Sequence, residues 1–164
     1  MMVAGTASAP RSPAEQQRLH EALRDLFEER IAFNRVLGIR VESFDATEVH
    51  VSFEMRPEFV GHYLYGRLHG GVISSVLDAA GGFALMCAIA EKFHAENTEQ
   101  VMQRFARMGT IDLRVDFLRQ GIGRRFDARA RTTRLGGRIG SVQCTLEDDT
   151  GRLIATASAA YVVS

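Results

Sequence analysis

A histidine and two glycines stand shortly before an aspartate in the most apolar stretch of the chain. His69, Gly70 and Gly71 open this stretch, and Asp78 is the only charged residue between Gly70 and Ala90. A helix that begins at two glycines presents unpaired backbone N–H groups, which can approach a carbonyl oxygen and stabilise negative charge on it. A carboxylate is a general base or a nucleophile. The alternatives are a tight turn for the glycines and a carboxylate satisfied by its neighbours for Asp78.

The spacing of these groups decides how they could meet. At a rise of about 1.5 Å per residue, the nine residues from His69 to Asp78 cover about 13 Å of helix. Acid-base or nucleophilic chemistry needs contact at about 3 Å, so one chain cannot hold both groups against one substrate. Two antiparallel copies of the helix could, with the Gly81-Gly82 pair allowing a close approach. We therefore expect a homodimer, or a dimer of dimers, with the site at a two-fold interface.

Hydrophobic periodicity indicates the elements that surround this segment. Residues 1–11 show no period and are expected to form a disordered tail, and residues 12–164 form one domain. Ser12, Pro13 and Glu15 predict a capping box and the start of an amphipathic helix that ends near Phe33. The stretch from Gly70 to Phe93 predicts a long buried helix, and a charged helical segment from Glu91 to Arg107 follows it.

The remaining segments alternate between apolar and polar residues and predict strands. Two of them are joined near Ala46, and four follow Met108, with turn residues between them. The segment from Pro57 to Leu68 is predicted as a loop. The expected fold is α+β, with a curved antiparallel sheet wrapped around one long helix and an additional N-terminal helix.

Composition excludes several classes of partner. The formal net charge is zero, which gives no global field for nucleic acid or an anionic membrane. The Arg-rich stretch, residues 110–140, holds eight arginines against three aspartates and could bind a polyanion. The apolar helix contains Asp78 and lacks flanking anchors, so we expect no membrane span. Cys87 and Cys144 lie in apolar segments without a secretory signal, which predicts a reduced, cytoplasmic protein. No metal-ligand spacing occurs.

Three segments carry a resemblance to a known family. Residues 68–80, read as LHGGVISSVLDAA, are similar to the motif of hotdog-fold thioesterases of the phenylacetate-degradation type. Residues 109–119 resemble the strand that follows the central helix in that family. Residues 134–138, together with the turn at 149–151 and residues 155–157, resemble its closing hairpins. The resemblance covers the chain from about Gly38 to the C-terminus and implies the hotdog fold.

The resemblance implies an acyl-CoA thioesterase with no cofactor beyond the coenzyme A of the substrate. It implies that Asp78 attacks the thioester or activates water, and that Gly70 and Gly71 polarise the carbonyl. His69 would help to position the thioester, and Thr110 would orient water or the carboxylate. For His69 and Thr110 the alternative is a purely structural role.

The coenzyme A nucleotide carries phosphates, which arginines and the N–H groups of glycine turns bind well. The best candidates in the Arg-rich stretch are Arg134, Gly136, Gly137 and Arg138.

The sequence departs from the family in the loop before the histidine. The family usually has an Asn or Gln six or seven residues before it, whereas this chain has His62 and Tyr63. His62 could replace the amide as a donor, and Tyr63 as a hydroxyl.

Two alternatives therefore stay open: an acyl-CoA-binding protein that does not hydrolyse its ligand, and a dehydratase, for which the proline-rich loop around the histidine is missing. Residues 91–108 resemble an insertion in medium- and long-chain acyl-CoA thioesterases, which favours a medium- or long-chain fatty acyl group. An aryl-CoA substrate stays open as the alternative.

Overall fold

The computed structural model describes residues 9–164, so most of the predicted tail lies outside the described residues. Arg11, the last residue of that tail, contacts the domain. Its guanidinium donates to the carbonyl oxygens of Ala90 at 2.6 Å, Phe93 at 2.8 Å and Glu96 at 3.0 Å. These are carbonyls at and beyond the C-terminal end of the central helix, where backbone acceptors lack helical partners.

The N-terminal helical region consists of three consecutive pieces. Helix α1 spans Pro13–Arg24, a short π-helix spans Asp25–Arg30, and helix α2 spans Ala32–Leu37. The predicted cap is confirmed, because the Ser12 side chain accepts the N–H of Glu15 at 3.2 Å. The capping box is wrong in its second half. The Glu15 carboxylate accepts the N–H of Thr98 at 2.7 Å and thereby links α1 to a later helix.

Six strands form one antiparallel sheet, as the alternating segments predict. They are β1 Arg40–Ser43, β2 Val49–Glu54, β5 Gly109–Phe117, β6 Arg125–Leu135, β7 Ile139–Asp148 and β8 Leu153–Val162. Their order across the sheet is β1-β2-β6-β7-β8-β5. The predicted loop between Pro57 and Leu68 is more structured than expected. It holds a 3-10 turn at Pro57–Phe59 and a small hairpin of β3 Val60–His62 and β4 Arg67–Leu68.

Helix α3, Gly70–Lys92, is the central helix and packs on the sheet. It is long and apolar enough to cross a membrane, but its apolar side chains belong to the core. Ile73, Leu77, Ala80 and Ala84 recur at helical spacing and are at most 3% exposed. The expected α+β arrangement is confirmed.

Helix α4, Thr98–Arg104, is the predicted helical segment after the central helix. Asn97 and Gln100 form a complete capping box at its start. Val101 is fully buried and α4 packs on α1, so the segment is amphipathic rather than wholly exposed.

Gly81 makes room for the sheet of its own chain. A Cβ atom at this position would lie 2.5 Å from the Tyr161 hydroxyl oxygen and 2.8 Å from Val142. The expectation that the glycine pair opens α3 to a partner helix is therefore wrong for Gly81. At Gly82 an added Cβ would meet the Tyr161 ring at 3.7 Å, an ordinary contact.

Strand β5 lies at one edge of the sheet and is poorly covered. Ile111 and Phe117 are 53% and 56% exposed, although the apolar alternation is that of a half-buried strand. A register shift between Thr110 and Asp112 leaves Ile111 unpaired. The free edge of β5 and its apolar side chains are therefore available to a partner.

Candidate active site

Asp78 lies on α3 opposite the paired ends of β5 and β8. Thr110 is the cross-strand partner of Tyr161, so their side chains leave the same face of the sheet. The Thr110 hydroxyl donates to Asp78 Oδ1 at 2.9 Å. The Tyr161 hydroxyl lies 2.7 Å from the backbone oxygen of Asp78 and 3.1 Å from Oδ1. Both contacts engage Oδ1, and no group of residues 9–164 donates to Oδ2.

Tyr161 is the member of this cluster that the sequence analysis missed. Burial, followed by the negative charge of Asp78, raises the pKa of Tyr161 well above its usual range. The phenol therefore stays protonated at neutral pH and acts as a donor. The sequence shows only a tyrosine in an alternating strand, and this pattern does not identify the partner that a buried hydroxyl needs.

An apolar cleft of about 310 Å³ opens beside the cluster. Asp78, Thr110 and Tyr161 supply polar groups to its wall. The rest of the lining is contributed by the N-terminal helical region, α3 and the start of β5. These residues are Phe27, Ile31, Phe33, Asn34, Ser75, Ala79, Gly82, Phe83, Met86, Met108 and Gly109. A carboxylate at the wall of an apolar cleft suits a ligand with a polar reacting group and a hydrocarbon part.

His69 caps the start of α3. Its Nδ1 accepts the N–H of Gly71 at 2.8 Å, so in the neutral ring Nε2 carries the proton. The imidazole is exposed and can offer this proton to a ligand. The same hydrogen bond occupies the backbone N–H of Gly71. Of the two predicted glycine donors, only the N–H of Gly70 has no acceptor within the described part of the chain.

The start of α3 and Asp78 do not meet within one chain. Both belong to a single uninterrupted helix, and the eight residues from Gly70 to Asp78 correspond to about 12 Å. The structure thus brings Thr110 to Asp78 and leaves His69, Gly70 and Gly71 apart from them.

The small β3–β4 hairpin lies against the start of α3. An added Cβ at Gly61 would be 2.5 Å from the His69 Cα, so the hairpin passes very close to this residue. The His62 ring stacks on Tyr63 and Tyr65, and its Nδ1 lies 3.3 Å from the N–H of Leu64. Tyr63 is 86% exposed. Within residues 9–164, neither His62 nor Tyr63 bonds to His69 or Asp78.

The turn between β6 and β7 carries the predicted nucleotide-binding residues. The N–H of Gly136 donates to Ile139 O at 3.0 Å, and Arg138 O accepts from Val163 N at 2.9 Å. Arg134 and Arg138 are exposed and form no ion pair in the described residues. Other arginines of the stretch are paired with carboxylates, namely Arg114, Arg124, Arg125 and Arg129.

Comparisons with known proteins agree with this fold. Residues 65–155 match the thioesterase superfamily. The chain is 36% identical over 139 residues to the medium/long-chain acyl-CoA thioesterase YigI of Escherichia coli K12, covering 85% of this chain and 90% of that protein. The Salmonella typhimurium protein of the same name matches equally well.

Two solved structures extend the comparison. A Shewanella oneidensis protein related to the thioesterase superfamily has a TM-score of 0.86 at 30% identity, covering 94% of this chain and all of that one. A phenylacetic acid degradation-related protein from Ralstonia eutropha has a TM-score of 0.68 at 20% identity, covering 86% and 98% of the two chains, and shares the fold. The fold is the hotdog fold, and the chain belongs to the thioesterase superfamily.

Proposed function

We propose that this protein is an acyl-CoA thioesterase that hydrolyses medium- or long-chain fatty acyl-CoA to the free acid and coenzyme A. One observation carries the proposal: Asp78, with one oxygen held by two hydroxyl groups, lies at the wall of an apolar cleft. The relatives named for medium- and long-chain acyl-CoA hydrolysis support the substrate class. The two buried free cysteines, Cys87 and Cys144, suit a reducing cytoplasm.

The chemistry uses the free oxygen of Asp78. Thr110 and Tyr161 fix Oδ1, so Oδ2 is the atom that faces the reaction. As a general base it takes a proton from water, the water oxygen adds to the thioester carbonyl, and the C–S bond breaks to release the thiolate. As a nucleophile it adds to the carbonyl itself and expels the thiolate, and water then cleaves the resulting anhydride. Both routes give acid and coenzyme A.

The proposed oxyanion donor comes from the second subunit. The Gly70 N–H has no acceptor in residues 9–164 and lies about 12 Å from Asp78 of the same chain, so a carbonyl between them needs two chains. We place the carbonyl oxygen at Gly70 of one subunit and the carbonyl carbon at Asp78 of the other. His69 Nε2–H lies at the same helix end and positions the thioester. The exposed edge and apolar residues of β5 offer the surface for dimerisation, alone or within a dimer of dimers.

The nucleotide end of the substrate is assigned to the β6–β7 turn. Arg134 and Arg138 carry positive charges that no carboxylate in residues 9–164 neutralises. Gly137 carries no side chain that would keep phosphate oxygens from the turn backbone, whereas the N–H of Gly136 already donates to Ile139 O.

The experiment that tests the proposed function is Asp78→Asn. The change is nearly isosteric, so it keeps the packing of α3, but an amide is neither a base nor a nucleophile at neutral pH. We expect kcat to fall by at least about 100-fold with KM within a few fold. Thiol release is measured across acyl-CoA chain lengths and one aryl-CoA, with thermal melting and ligand binding on the same preparation.

Two outcomes would contradict the proposal. Unchanged turnover in Asp78→Asn would remove Asp78 from the mechanism. Tight acyl-CoA binding by the unaltered protein without hydrolysis of any substrate would favour the non-catalytic binding protein. The stacked His62 ring would then be the feature to examine, because it stands where the family usually has an amide.

A further inference from the structure

A buried asparagine stands in the wall of the apolar cleft. Asn34, on α2, is only 5% exposed, and it lines the cleft together with Asp78. Most of its neighbours in that wall are hydrocarbon or aromatic side chains. A polar group in such a position costs free energy unless its hydrogen bonds are made. The hydrogen bonds that Asn34 makes and lacks therefore indicate which ligand group the cleft can bind.

The nitrogen of the Asn34 side-chain amide has a hydrogen-bond acceptor within the protein. Its Nδ2 donates to the backbone oxygen of Phe27, in the π-helix, at 3.0 Å. This bond fixes the orientation of the amide, because the opposite orientation would set two oxygens against each other. Its Oδ1 accepts no hydrogen bond from any residue in 9–164.

The free oxygen is accessible rather than sealed in the core. Thr132 Oγ1 is the one fully enclosed side-chain oxygen or nitrogen without a partner in residues 9–164. Asn34 Oδ1 also lacks a partner and is not enclosed, so it retains accessible surface. Because Asn34 lines the cleft, the cleft is where a ligand can reach this oxygen.

We propose that Asn34 is a specificity-determining residue whose Oδ1 binds a hydroxyl group carried by the acyl chain of the substrate. This inference rests on the proposed function, since it assigns the acyl chain to the cleft. An unsubstituted acyl chain that fills the cleft displaces water from Oδ1 and offers no hydrogen-bond donor in its place. A hydroxyl group at the matching carbon donates to Oδ1 and restores the bond. The preferred substrates are then hydroxyacyl-CoA esters.

The test compares hydroxylated and plain substrates of equal length on one preparation. The panel holds the plain medium- and long-chain acyl-CoA esters and their isomers hydroxylated at successive carbons. We expect at least one isomer to exceed its plain counterpart in kcat/KM by about 3- to 10-fold, the range of one net hydrogen bond. Asn34→Leu should reduce that ratio to about one. A ratio measured on a single preparation does not depend on the fraction of folded protein.

Ser75→Ala is the matched control. Ser75 is the other polar side chain of the cleft outside the Asp78 cluster, and its hydroxyl already donates to Gly71 O at 2.6 Å. The hydroxyl preference should survive in Ser75→Ala. If the hydroxyl preference disappears in Ser75→Ala and persists in Asn34→Leu, Ser75 rather than Asn34 binds the hydroxyl group.

Binding to Asp78→Asn protein separates this inference from the proposed function. Dissociation constants for hydroxyacyl-CoA and plain acyl-CoA can be measured whether or not the protein hydrolyses either. A hydroxyl preference in binding that Asn34→Leu, introduced together with Asp78→Asn, abolishes supports Asn34 even if turnover is absent. Equal affinities for every hydroxyl position and the plain chain would overturn the proposal.

Discussion

Within the described residues 9–164, the Asp78 carboxylate accepts hydrogen bonds at one oxygen only, Oδ1. Thr110 and Tyr161 donate to Oδ1, while Tyr161 also contacts the backbone oxygen of Asp78. Both hydroxyls therefore hold the same oxygen, and no group in residues 9–164 donates to the lone pairs of Oδ2. In the mechanism that we propose, a carboxylate held in this way lowers the entropy that the reaction must lose.

Two of these three residues could be predicted and the third could not. Asp78 and Thr110 follow from the motif and the strand after the helix. Tyr161 stands in an alternating strand, where a buried tyrosine has the same pattern as any core residue. Only the pairing of β5 with β8 puts its hydroxyl opposite Asp78, and cross-strand register is a long-range property.

Asn34 was missed for a similar reason. A single polar residue near the end of an amphipathic helix does not differ in sequence from an exposed one. The helix breaks at Ile31, which is extended with φ −76° and ψ 98°, before α2 begins, and no sequence pattern predicted the π-helix or this break.

At the same scale, Arg134 and Arg138 can be tested individually. If they bind phosphates, Arg134→Ala and Arg138→Ala should each raise KM for acyl-CoA roughly tenfold, with the largest effect at low salt. An acyl-pantetheine without the nucleotide should show no change. Arg129→Ala is the control, because it removes the same charge from a residue already paired with Glu48. Equal losses on both substrates would make the two arginines structural.

At the scale of the element, α3 combines the chemical role that we propose for it with a packing role. Its N-terminal end presents the Gly70 N–H, its middle carries Asp78, and Gly81 lets Tyr161 come close. The helix was predictable because its apolar run is long and has clear limits. The β3–β4 hairpin was not, because strands of three and two residues are too short to show a period.

The glycine pair in α3 gives a matched test of this packing. Gly81→Ala introduces a Cβ at 2.5 Å from the Tyr161 oxygen, so we expect it to lower the free energy of unfolding by about 1–3 kcal/mol. Gly82→Ala meets no such obstacle and gains helix propensity, so we expect a change between zero and about 1 kcal/mol in the stabilising direction. Chemical denaturation measures both. Similar values for the two variants would show that Tyr161 does not constrain Gly81.

At the scale of the whole molecule, one chain keeps apart the two groups that we propose to act together, because Gly70 and Asp78 lie on the same helix. The rise per residue of an α-helix predicts this separation from the sequence, and helix α3 runs uninterrupted from Gly70 to Lys92. The part that the sequence could not supply is the surface that would join two chains. The predicted helix-helix approach at Gly81 is wrong, and the uncovered surface is instead the β5 edge with Ile111 and Phe117.

A subunit-mixing experiment tests the shared site. Asp78→Ala removes the carboxylate, and Gly70→Pro removes the N–H at the first position of α3, where proline is tolerated. His69 already has φ −64° and ψ 136°, a conformation that suits a residue before proline. Each variant alone should be inactive. In a mixed dimer, one of the two sites combines an intact Asp78 with an intact Gly70 from the other subunit.

Equal amounts of the two variants, after full subunit exchange, should therefore recover about a quarter of the wild-type activity, because half of the dimers are mixed and each has one intact site. Mixing Asp78→Ala with Asp78→Asn is the control and should recover none, since no pairing restores the carboxylate. Exchange is verified by mass spectrometry with an isotope-labelled partner. If exchange is complete and the first mixture stays as inactive as the control, Gly70 and Asp78 do not act across the interface, and the carbonyl must be polarised by a group on the same chain as Asp78.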